Sequence, residues 1–336
     1  MKDNPSTLLV MAPATYRQQF GRTELDRLGT MATLGDPICV ESLAEVSAER
    51  LAHTEVLLTS WGCPRVTGEH LDRMPRLGAI IHAAGSTRHL VPDTVYDRGI
   101  VVSSAAAANA VPVAEYTLAA IIFAGKRALP LAAGRPAGPT AWTTTNEGSA
   151  LSNLGRTIGI VGFSQIGRKV LELLSVLDHG PVLVADPFAD ADAVRSAGGL
   201  LVSLEEVLRR AEILSLHAPL LPTTVGMIGA AQLALLPDGA TLINTARGGI
   251  VDHDALLAEC GSGRLDAILD VTEPEPLPHE HPLRALANVT ITPHLAGALG
   301  TETRRLTHHA LDALSAYGAG ADLPGAIDAA RSLLIA

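Results

Sequence analysis

Short apolar runs alternate with helical patterns along most of the chain. Each run in the first third is followed by a turn or a helical stretch. The strand candidates there are Leu8–Val10, Val56–Leu58, Ala79–Ile81 and Ile100–Val102. Continuous apolar strands separated by helices are typical of a parallel β-sheet that is covered by helices on both faces. The pattern therefore predicts an α/β domain.

A second series of strands follows a long apolar helix predicted over residues 111–128. Between them, prolines and glycines interrupt any regular element, so we predict a loop over residues 130–150. The strands predicted in the second series are Thr157–Val161, Val182–Ala185, Ile213–Leu216, Thr241–Asn244, Ala267–Leu269 and Val289–Ile291. A last long helix is predicted from about Thr301 to Tyr317. Six strands with helices between them predict a dinucleotide-binding sheet.

Composition narrows the class of protein. The 336 residues favour two domains, and 47% of them are apolar, enough for a large core. We found no apolar run of 18 residues and no signal-peptide pattern, so we expect no membrane partner. Three scattered cysteines predict a reducing cytoplasm and no metal site. The net charge of −10 and the 3% of aromatic residues argue against nucleic-acid binding.

Residues 157–186 have the strand–turn–helix–strand pattern of a nicotinamide dinucleotide site. Gly162 permits a tight exit from the strand, and Gly167 lets the following helix pack close to the sheet. The start of that helix offers free amides and a positive dipole end to the pyrophosphate. Asp186 ends the next strand roughly 20 positions after Gly167, where an acid accepts hydrogen bonds from the ribose. Its charge repels a 2′-phosphate, so NAD is predicted rather than NADP.

The turn itself, completed by Gln165 and Ile166, departs from the usual motif at its middle glycine, which is Ser164 here. The Ser164 hydroxyl either donates to a phosphate or displaces the cofactor slightly, and the sequence leaves both open. Two glycines also occur in ordinary strand–turn–helix units of parallel sheets. The following strand and its terminal Asp186 favour the dinucleotide site. The helix is predicted to end at Gly180.

Polar segments follow three strands of the second series, at residues 244–249, 270–276 and 292–294. In open parallel sheets, ligands bind outside the carboxyl ends of the strands. We therefore expect Arg247, Glu275 and His294 to converge at the edge that carries the cofactor turn. Singly, each residue has an ordinary explanation, as a surface cation, a solvated acid and a structural histidine. Their order and placement favour a shared site.

These segments resemble the D-isomer-specific 2-hydroxyacid dehydrogenase family. The resemblance is carried by Asn-Thr-Ala-Arg-Gly-Gly-Ile-Val-Asp from Asn244, Asp-Val-x-x-x-Glu-Pro from Asp270, and Thr-Pro-His ending at His294. Residues 215–220 with Thr223 and Thr224, and the helix start at residues 109–115, also match. The resemblance covers roughly residues 77–297.

The resemblance implies an NAD-dependent oxidoreductase that interconverts a 2-keto acid and a D-2-hydroxy acid. His294 would be the proton donor and acceptor, and Glu275 would hold its imidazole. Arg247 would polarise the carbonyl and hold the substrate carboxylate. Asp270 would contact the nicotinamide or its ribose. Further cofactor contacts are implied for His217, Pro219, Thr223, Thr245, Ala246, Arg247, His294 and Gly297.

The family also implies a domain organisation. We expect two Rossmann-like domains, each a doubly wound parallel sheet, with an interdomain cleft. Residues 109–297 would be the NAD-binding domain, and residues 1–108 with 298–336 would form a discontinuous substrate domain. The family is usually dimeric through the cofactor domain, so the apolar helix at residues 111–128 is a candidate homodimer contact.

The family binds the substrate carboxylate on a loop of the first domain, here residues 82–89. The implied substrate residues are Ala84, Gly85, Ser86, Arg88 and Arg247. The loop carries Arg88 and His89, with His82 nearby, in an otherwise acidic protein. Our hypothesis is a small-molecule substrate with a second anionic group. The alternative is that Arg88 pairs with an acid such as Asp93 or Asp97.

Two other functions remain open from the sequence. One is a family member that oxidises a small phosphonate alcohol or phosphite. The other is a binding protein that senses NAD(H) without catalysis, since related co-repressors keep the fold and its residues. A substrate screen distinguishes these alternatives from a 2-hydroxyacid dehydrogenase.

Overall fold

The computed structural model describes residues 4–134 and 151–329. They divide into two compact units, residues 1–109 with 298–336 and residues 110–297. The strands are β1 Ser6–Val10, β2 Thr33–Val40, β3 Val56–Thr59, β4 Ala79–His82, β5 Val101–Ser104, β6 Ile158–Val161, β7 Val182–Ala185, β8 Leu200–Leu201, β9 Ile213–Leu216, β10 Thr241–Asn244, β11 Asp266–Leu269, β12 Val289–Ile291 and β13 Ala326–Ile327.

The helices alternate with these strands. They are α1 Pro13–Gln19, α2 Arg22–Met31, α3 Ala48–His53, α4 Gly68–Asp72, α5 Thr94–Asp97, α6 Ala106–Gly125, α7 Ala128–Gly134, α8 Gln165–Leu174, α9 Ala191–Ser196, α10 Leu204–Arg210, α11 Ala230–Leu233, α12 His253–Gly261 and α13 Thr303–Ala319. Short 3₁₀ turns lie at Leu43–Glu45, Gly248–Ile250, Pro282–Ala285 and Gly300–Glu302.

The first unit is built on a six-stranded sheet in the order β13-β5-β4-β3-β1-β2. Its strands are parallel, except for β13, which pairs antiparallel with β5. Successive residues of β1 face opposite cores: Leu8 and Val10 pack in one hydrophobic cluster, and Leu9 packs in the other. A strand buried on both faces needs apolar side chains at every position, which explains the continuous apolar runs.

The second unit contains a seven-stranded, fully parallel sheet in the order β12-β11-β10-β9-β6-β7-β8. The chain runs outward from β6 through β7 to β8, then returns to β9 on the other side of β6. The junction of β6 and β9 is therefore the switch point, where open α/β sheets form their ligand crevice. Gly159 in β6 lets α10 pack closely, since a Cβ there would lie 2.6 Å from Val207 Cγ1.

The prediction of two Rossmann-like α/β sheets is confirmed, but the sequence pattern missed three strands. Strand β2 lies at a sheet edge, and most of its residues are partly or fully exposed, so it lacks a continuous apolar run. Strands β8 and β13 have two residues each, too few to show a period. Edge position and shortness hide these strands from a hydrophobicity pattern.

Three predicted boundaries were wrong. The helix predicted over 111–128 is α6, which begins at Ala106 and ends at Gly125. Within the loop predicted over 130–150, residues up to Gly134 belong to α7, and residues 135–150 lie outside the described part of the chain. Helix α8 ends at Leu174 rather than at Gly180, because the backbone N–H of Leu177 already bonds the Leu174 carbonyl in a turn.

Among the described residues, helix α6 has the length and apolar composition of a membrane span. The core helix of a globular protein passes the same test, so the observation is weak. Residues Ala114, Ala120, Ile121 and Ala124 of this helix pack in a hydrophobic cluster of the second unit.

Candidate active site

The turn after β6 is shaped by two glycines. Gly162 has a φ of +98°, which an L side chain rarely adopts, and a Cβ there would lie 2.6 Å from the backbone nitrogen of Ala218. A Cβ on Gly167 would lie 2.1 Å from the Gly162 carbonyl oxygen. Both positions therefore require glycine: Gly162 lies against the chain that follows β9, and Gly167 brings the start of α8 directly against the end of β6.

Ser164 is the N-cap of α8. Its hydroxyl oxygen accepts a hydrogen bond from the Gly167 backbone N–H at 3.3 Å. The residues that follow, Gln165 and Ile166, form the first turn, whose amides have no carbonyl partner within an α-helix. The cap occupies the oxygen of Ser164 and leaves its hydroxyl proton to be donated.

Asp186 follows β7 and reaches back to the glycine turn. One carboxylate oxygen accepts from the Phe163 N–H at 2.8 Å, and the other accepts from the Phe188 N–H at 2.9 Å. The Phe163 ring is covered by the guanidinium of Arg168, 4.2 Å from the ring centre. Each carboxylate oxygen keeps further lone pairs, so Asp186 fixes the turn and still has acceptors for a ligand.

His217 follows β9, the strand beside β6. Its backbone N–H donates to the Val161 carbonyl at 2.7 Å, and its Nε2 bonds the Ser215 hydroxyl at 2.9 Å. Burial lowers the pKa of His217 to about 3, so the imidazole is neutral. Its Nδ1 is buried and has no hydrogen-bond partner among the described residues. A buried polar atom in that state is what a bound ligand would satisfy.

The loop after β10 carries Arg247 and is braced from within. The Asn244 side chain accepts from the Ala246 N–H at 3.0 Å and donates to the Arg247 carbonyl at 2.9 Å. Buried Thr245 bonds the hydroxyl of Thr117 in α6 at 3.0 Å. The sequence indicated Asn244 only as part of a motif, although an amide at the end of a strand is a frequent loop brace.

Gly248 brings this loop against the next one. A Cβ at Gly248 would lie 2.0 Å from the carbonyl carbon of Thr272, so only glycine permits the approach. The loops after β10 and β11 therefore lie in direct contact, beside each other as their strands are in the sheet. Burial lowers the pKa of Arg247, and the negative charge of Glu275 opposes that shift. The guanidinium remains charged at neutral pH.

Buried Asp270, at the end of β11, holds the loop that follows β12. Its Oδ1 accepts from the Thr292 hydroxyl at 2.6 Å and from the Leu295 N–H at 2.8 Å. Its Oδ2 accepts from the Ala296 N–H at 2.9 Å, and its carbonyl accepts from the His294 N–H at 2.9 Å. Asp270, which we predicted to contact the nicotinamide or its ribose, thus makes hydrogen bonds on both sides of His294.

The His294 imidazole pairs with Glu275. The two side chains meet at 2.5 Å between Nδ1 and Oε1, and both are partly exposed, at 49% and 38%. With Nδ1 held by the carboxylate, Nε2 is the ring nitrogen left to exchange a proton. The three residues that were predicted to converge lie on loops after adjacent strands of the sheet: Arg247 after β10, Glu275 after β11 and His294 after β12.

Two side chains of helix α6 that the sequence analysis did not single out contact these loops. The Tyr116 hydroxyl lies 2.8 Å from the Thr292 hydroxyl. The Thr117 hydroxyl donates to the Val113 carbonyl at 2.8 Å and bonds Thr245. These contacts join residues far apart along the chain, so no local pattern indicates them.

The other residues predicted near the cofactor lie at varied depth. Thr223 is exposed; its neighbour Thr224 makes the hydrogen bonds of this loop, donating to the Pro219 carbonyl at 2.6 Å. Thr224 also accepts from the Leu221 N–H at 2.7 Å. Gly297 is half-buried and follows Ala296 directly.

The predicted substrate loop belongs to the first unit. Ala84 is buried, and its carbonyl accepts from the Ala105 N–H at 3.0 Å. The Ser104 hydroxyl donates to the Gly85 carbonyl. Ser86 is half-buried, and its hydroxyl accepts from the backbone N–H of exposed Arg88 at 3.4 Å.

His82 was wrongly grouped with the cations of this loop. It is the last residue of β4, and its Nδ1 bonds the Thr59 hydroxyl at 3.0 Å. Burial, aided by the neighbouring His89, lowers its pKa to about 3. His82 is therefore a neutral core residue and contributes no positive charge.

The second unit fits a dinucleotide on its own geometry. The switch point carries a glycine turn, a capped helix N-terminus, a terminal acid and a buried histidine nitrogen that lacks a partner. Among the described residues, no group of three His, Cys, Asp or Glu side chains is arranged to hold a metal. The fold and site define a dinucleotide-binding α/β protein with an Arg–Glu–His constellation.

The chain belongs to the D-isomer specific 2-hydroxyacid dehydrogenase family. The family's NAD-binding domain matches residues 122–296. The predicted family and cofactor are thereby confirmed. The match includes the glycine turn, Asp186, Arg247, Glu275 and His294.

A curated relative is the D-3-phosphoglycerate dehydrogenase of Mycobacterium tuberculosis, 30% identical over 305 residues. The alignment covers 89% of this chain and 56% of that relative. The chain thus spans about half the length of the curated relatives it matches.

Solved structures of similar length share the fold. A phosphoglycerate oxidoreductase from Rhizobium etli is 25% identical with a TM-score of 0.78, and 97% of this chain and 98% of that chain are covered. The D-lactate dehydrogenase of Aquifex aeolicus, in complex with NAD and lactic acid, is 26% identical with a TM-score of 0.68. That comparison covers 94% of this chain and 96% of the other.

Proposed function

We propose that this protein is an NAD-dependent dehydrogenase that interconverts a 2-keto acid and a D-2-hydroxy acid. The observation that carries the proposal is the pairing of His294 with Glu275 at 2.5 Å, on loops beside Arg247 and in a domain of the NAD-binding type. A charged guanidinium, an oriented imidazole and a dinucleotide turn are the parts that carbonyl reduction needs.

The residues divide the chemistry among themselves. NADH, when bound, supplies the hydride. His294 gives the proton of Nε2 to the substrate oxygen in reduction and takes it back in oxidation. Glu275 accepts the Nδ1 proton, which orients the ring. Arg247 polarises the carbonyl and binds the substrate carboxylate through its planar fork.

The cofactor contacts follow from the site described above. Asp186 would bind the adenosine ribose and disfavour a 2′-phosphate, so NAD would be used rather than NADP. The amides of Gln165 and Ile166 would face the pyrophosphate. His217 Nδ1, which lacks a partner among the described residues, would gain one from the cofactor.

The first test is a substrate screen. Purified protein is mixed with NADH and a panel of 2-keto acids that includes phosphorylated and phosphonate members, and oxidation is followed at 340 nm. We expect turnover of at least one 2-keto acid, and loss of about 10²- to 10⁴-fold in kcat for His294→Gln. Tight NADH binding without turnover of any 2-keto acid would contradict the proposal and favour an NAD(H) sensor.

The substrate is proposed to carry a second anionic group, such as the phosphate of D-3-phosphoglycerate. Exposed Arg88 and His89 in the first unit support this, as do relatives that are named D-3-phosphoglycerate dehydrogenases. These relatives favour a phosphorylated hydroxy acid over phosphonate alcohols or phosphite. Because His82 is neutral, Arg88 is the permanently charged residue of this loop.

Arg88→Ala tests this choice, with Arg65→Ala as an exposed arginine control in the same unit. We expect kcat/KM for dianionic 2-keto acids to fall by about 10-fold or more, since a charge-assisted hydrogen bond contributes about 1.5–3 kcal/mol. Monoanionic 2-keto acids should lose much less. Equal losses on both classes would contradict a second anion site at Arg88.

The protein is further proposed to act as a cytoplasmic homodimer. Phe123 in α6 has 48% of its surface exposed, and the family predicts a contact through this helix. We expect Phe123→Asp to shift the sedimentation coefficient to that of a monomer, while Phe188→Asp, at another exposed phenylalanine, leaves it unchanged. A wild-type protein that sediments as a monomer would contradict the dimer.

A further inference from the structure

A chain of hydrogen bonds leads from helix α6 to the loop of His294. Tyr116 Oη contacts Thr292 Oγ1 at 2.8 Å, and Thr292 Oγ1 contacts Asp270 Oδ1 at 2.6 Å. The carboxylate then accepts the N–H groups of Leu295 and Ala296. The chain ends on the residues that directly follow His294.

Counting protons gives this chain a direction. A threonine hydroxyl has one proton, and that of Thr292 is donated to Asp270. The contact at 2.8 Å therefore requires Tyr116 to be the donor and Thr292 the acceptor. Burial raises the pKa of Tyr116, the hydrogen bond with Thr292 lowers it, and negative Asp270 raises it; the net shift is upward, so the phenol keeps its proton at neutral pH.

His294 needs such support because its backbone is in the left-handed region, with a φ of +53°. A non-glycine residue adopts that conformation only where its surroundings hold it. The side-chain carboxylate of Asp270 contacts residues 292, 295 and 296, and the backbone carbonyl of Asp270 accepts from the His294 N–H. The orientation of Asp270 thus sets the backbone of His294.

We propose that Tyr116 is a positioning residue for His294, acting through Thr292 and Asp270 and never touching the reacting atoms. By donating to Thr292, it commits the threonine proton to Asp270 and fixes the carboxylate that holds the left-handed turn. This left-handed backbone then presents the His294 imidazole to Glu275. This inference rests on the proposed role of His294 as the proton donor.

The test compares Tyr116→Phe with Thr292→Val, Thr292→Ser and the double variant Tyr116→Phe/Thr292→Val. We expect Tyr116→Phe to lower kcat for 2-keto acid reduction by about 2- to 10-fold, the range of one hydrogen bond, with KM for NADH unchanged. Thr292→Ser should keep the wild-type kcat, because it retains the hydroxyl. The double variant should be no slower than Thr292→Val alone, because Tyr116 acts only through that hydroxyl.

Tyr317→Phe is the matched control, a partly buried tyrosine of α13 in the first unit, and should keep the wild-type kcat. A second readout does not depend on turnover: the downfield proton resonance of the His294 imidazole N–H, assigned by its loss in Glu275→Gln. We expect this signal to broaden in Tyr116→Phe and to persist in Tyr317→Phe.

Two results would overturn the inference. One is a Tyr116→Phe protein with wild-type kcat and an unchanged imidazole signal. The other is a double variant whose loss in kcat is the product of the two single losses, which would mean independent roles. If the wild type reduces no 2-keto acid, the proposed function fails, and the imidazole signal still decides whether Tyr116 positions His294.

Discussion

His294 shows how a single residue obtains its setting from several distant ones. Its side chain pairs with Glu275, while its backbone is held through Asp270. The two supports are on the same loop, which follows β11, so that loop fixes both the ring and the chain that carries it. A left-handed histidine at this point is a strained conformation that the surrounding hydrogen bonds maintain.

Asp186 gives the first prediction at this scale. Asp186→Ala should lower the preference for NADH over NADPH, measured as the ratio of kcat/KM values, by at least about 10-fold, equivalent to about 1.4 kcal/mol. The reason is that the substitution removes ribose acceptors and the charge that repels a 2′-phosphate. The Phe163 and Phe188 amides lose their acceptor as well, so some weakening toward both cofactors is expected.

Asp192→Ala is the control for this prediction. Asp192 is an exposed acid of α9 that pairs with Arg195, and its removal changes the net charge of the protein equally. The cofactor preference should stay at the wild-type value in that variant. An Asp186→Ala protein with unchanged preference would show that Asp186 serves only to brace the turn.

Residues of the site were predictable where the parallel sheet alone brings their loops together. Arg247, Glu275 and His294 were predicted to converge because parallel strands place the loops at their carboxyl ends side by side. Tyr116 and Thr117 were not singled out, since their partners Thr292 and Thr245 lie far along the chain. His82 was misjudged for the same reason: its burial and its bond to Thr59 depend on the assembled sheet.

At the scale of elements, strands buried on both faces were visible in the sequence, whereas the edge strands β2 and β8 were not. Most residues of β2 are half-buried or exposed, so this strand lacks a continuous apolar run, and β8 has only two residues. The start of α8 has a local signal and its end has none. Ser164 marks the start of α8 through its side chain, while its end at Leu174 lies before several further apolar or polar residues that give no stop signal.

The cap of α8 gives a prediction that decides between two roles of Ser164. Ser164→Ala should lower the free energy of unfolding of the second unit by about 1 kcal/mol, and Ser164→Gly by only a few tenths, as N-cap substitutions do. Both should weaken NADH binding by about 2- to 10-fold, because the hydroxyl proton left over from the cap is available to a phosphate. Calorimetric unfolding and NADH titration of both variants provide the measurements.

The glycine variant carries the discriminating result, since it restores the usual motif. If Ser164→Gly binds NADH as tightly as the wild type or more tightly, the serine only caps the helix, and its side chain displaces the cofactor slightly. If both variants bind more weakly by similar factors, the hydroxyl contributes to binding. Stability and affinity are measured separately, so loss of the cap is not mistaken for loss of a phosphate contact.

At the scale of the whole molecule, the described part of each unit contains a histidine that burial keeps neutral. His82 lies in the sheet of the first unit, and His217 lies at the switch point of the second. Burial lowers the pKa of each to about 3, whereas an unfolded chain titrates its histidines near 6.5. Both units should therefore lose stability in acid through the same mechanism, although their histidines lie in different surroundings.

The sign of this response follows from which state binds protons. Above a pH of about 6.5 both histidines are neutral, folded or unfolded, and pH has no effect through them. As the pH falls from 6.5 toward 3, only the unfolded chain takes up these protons, so the free energy of unfolding falls by about 1.4 kcal/mol per pH unit for each histidine. At pH 5 the free energy of unfolding of each of the two structural units is therefore lower by about 2 kcal/mol.

Calorimetry of His82→Asn and His217→Gln at pH 7.5 and 5.0 checks this prediction. Asparagine approximates the position of Nδ1, which bonds Thr59, and glutamine approximates that of Nε2, which bonds Ser215. The quantity compared is the change in stability between the two pH values, so a constant cost of either substitution cancels.

We expect each variant to lose less stability on acidification than the wild type, in the transition of its own unit only, because carboxylates and other histidines titrate in all three proteins alike. Equal pH dependence in variant and wild type would mean that the buried histidine opens to solvent, and takes up its proton, before its unit unfolds.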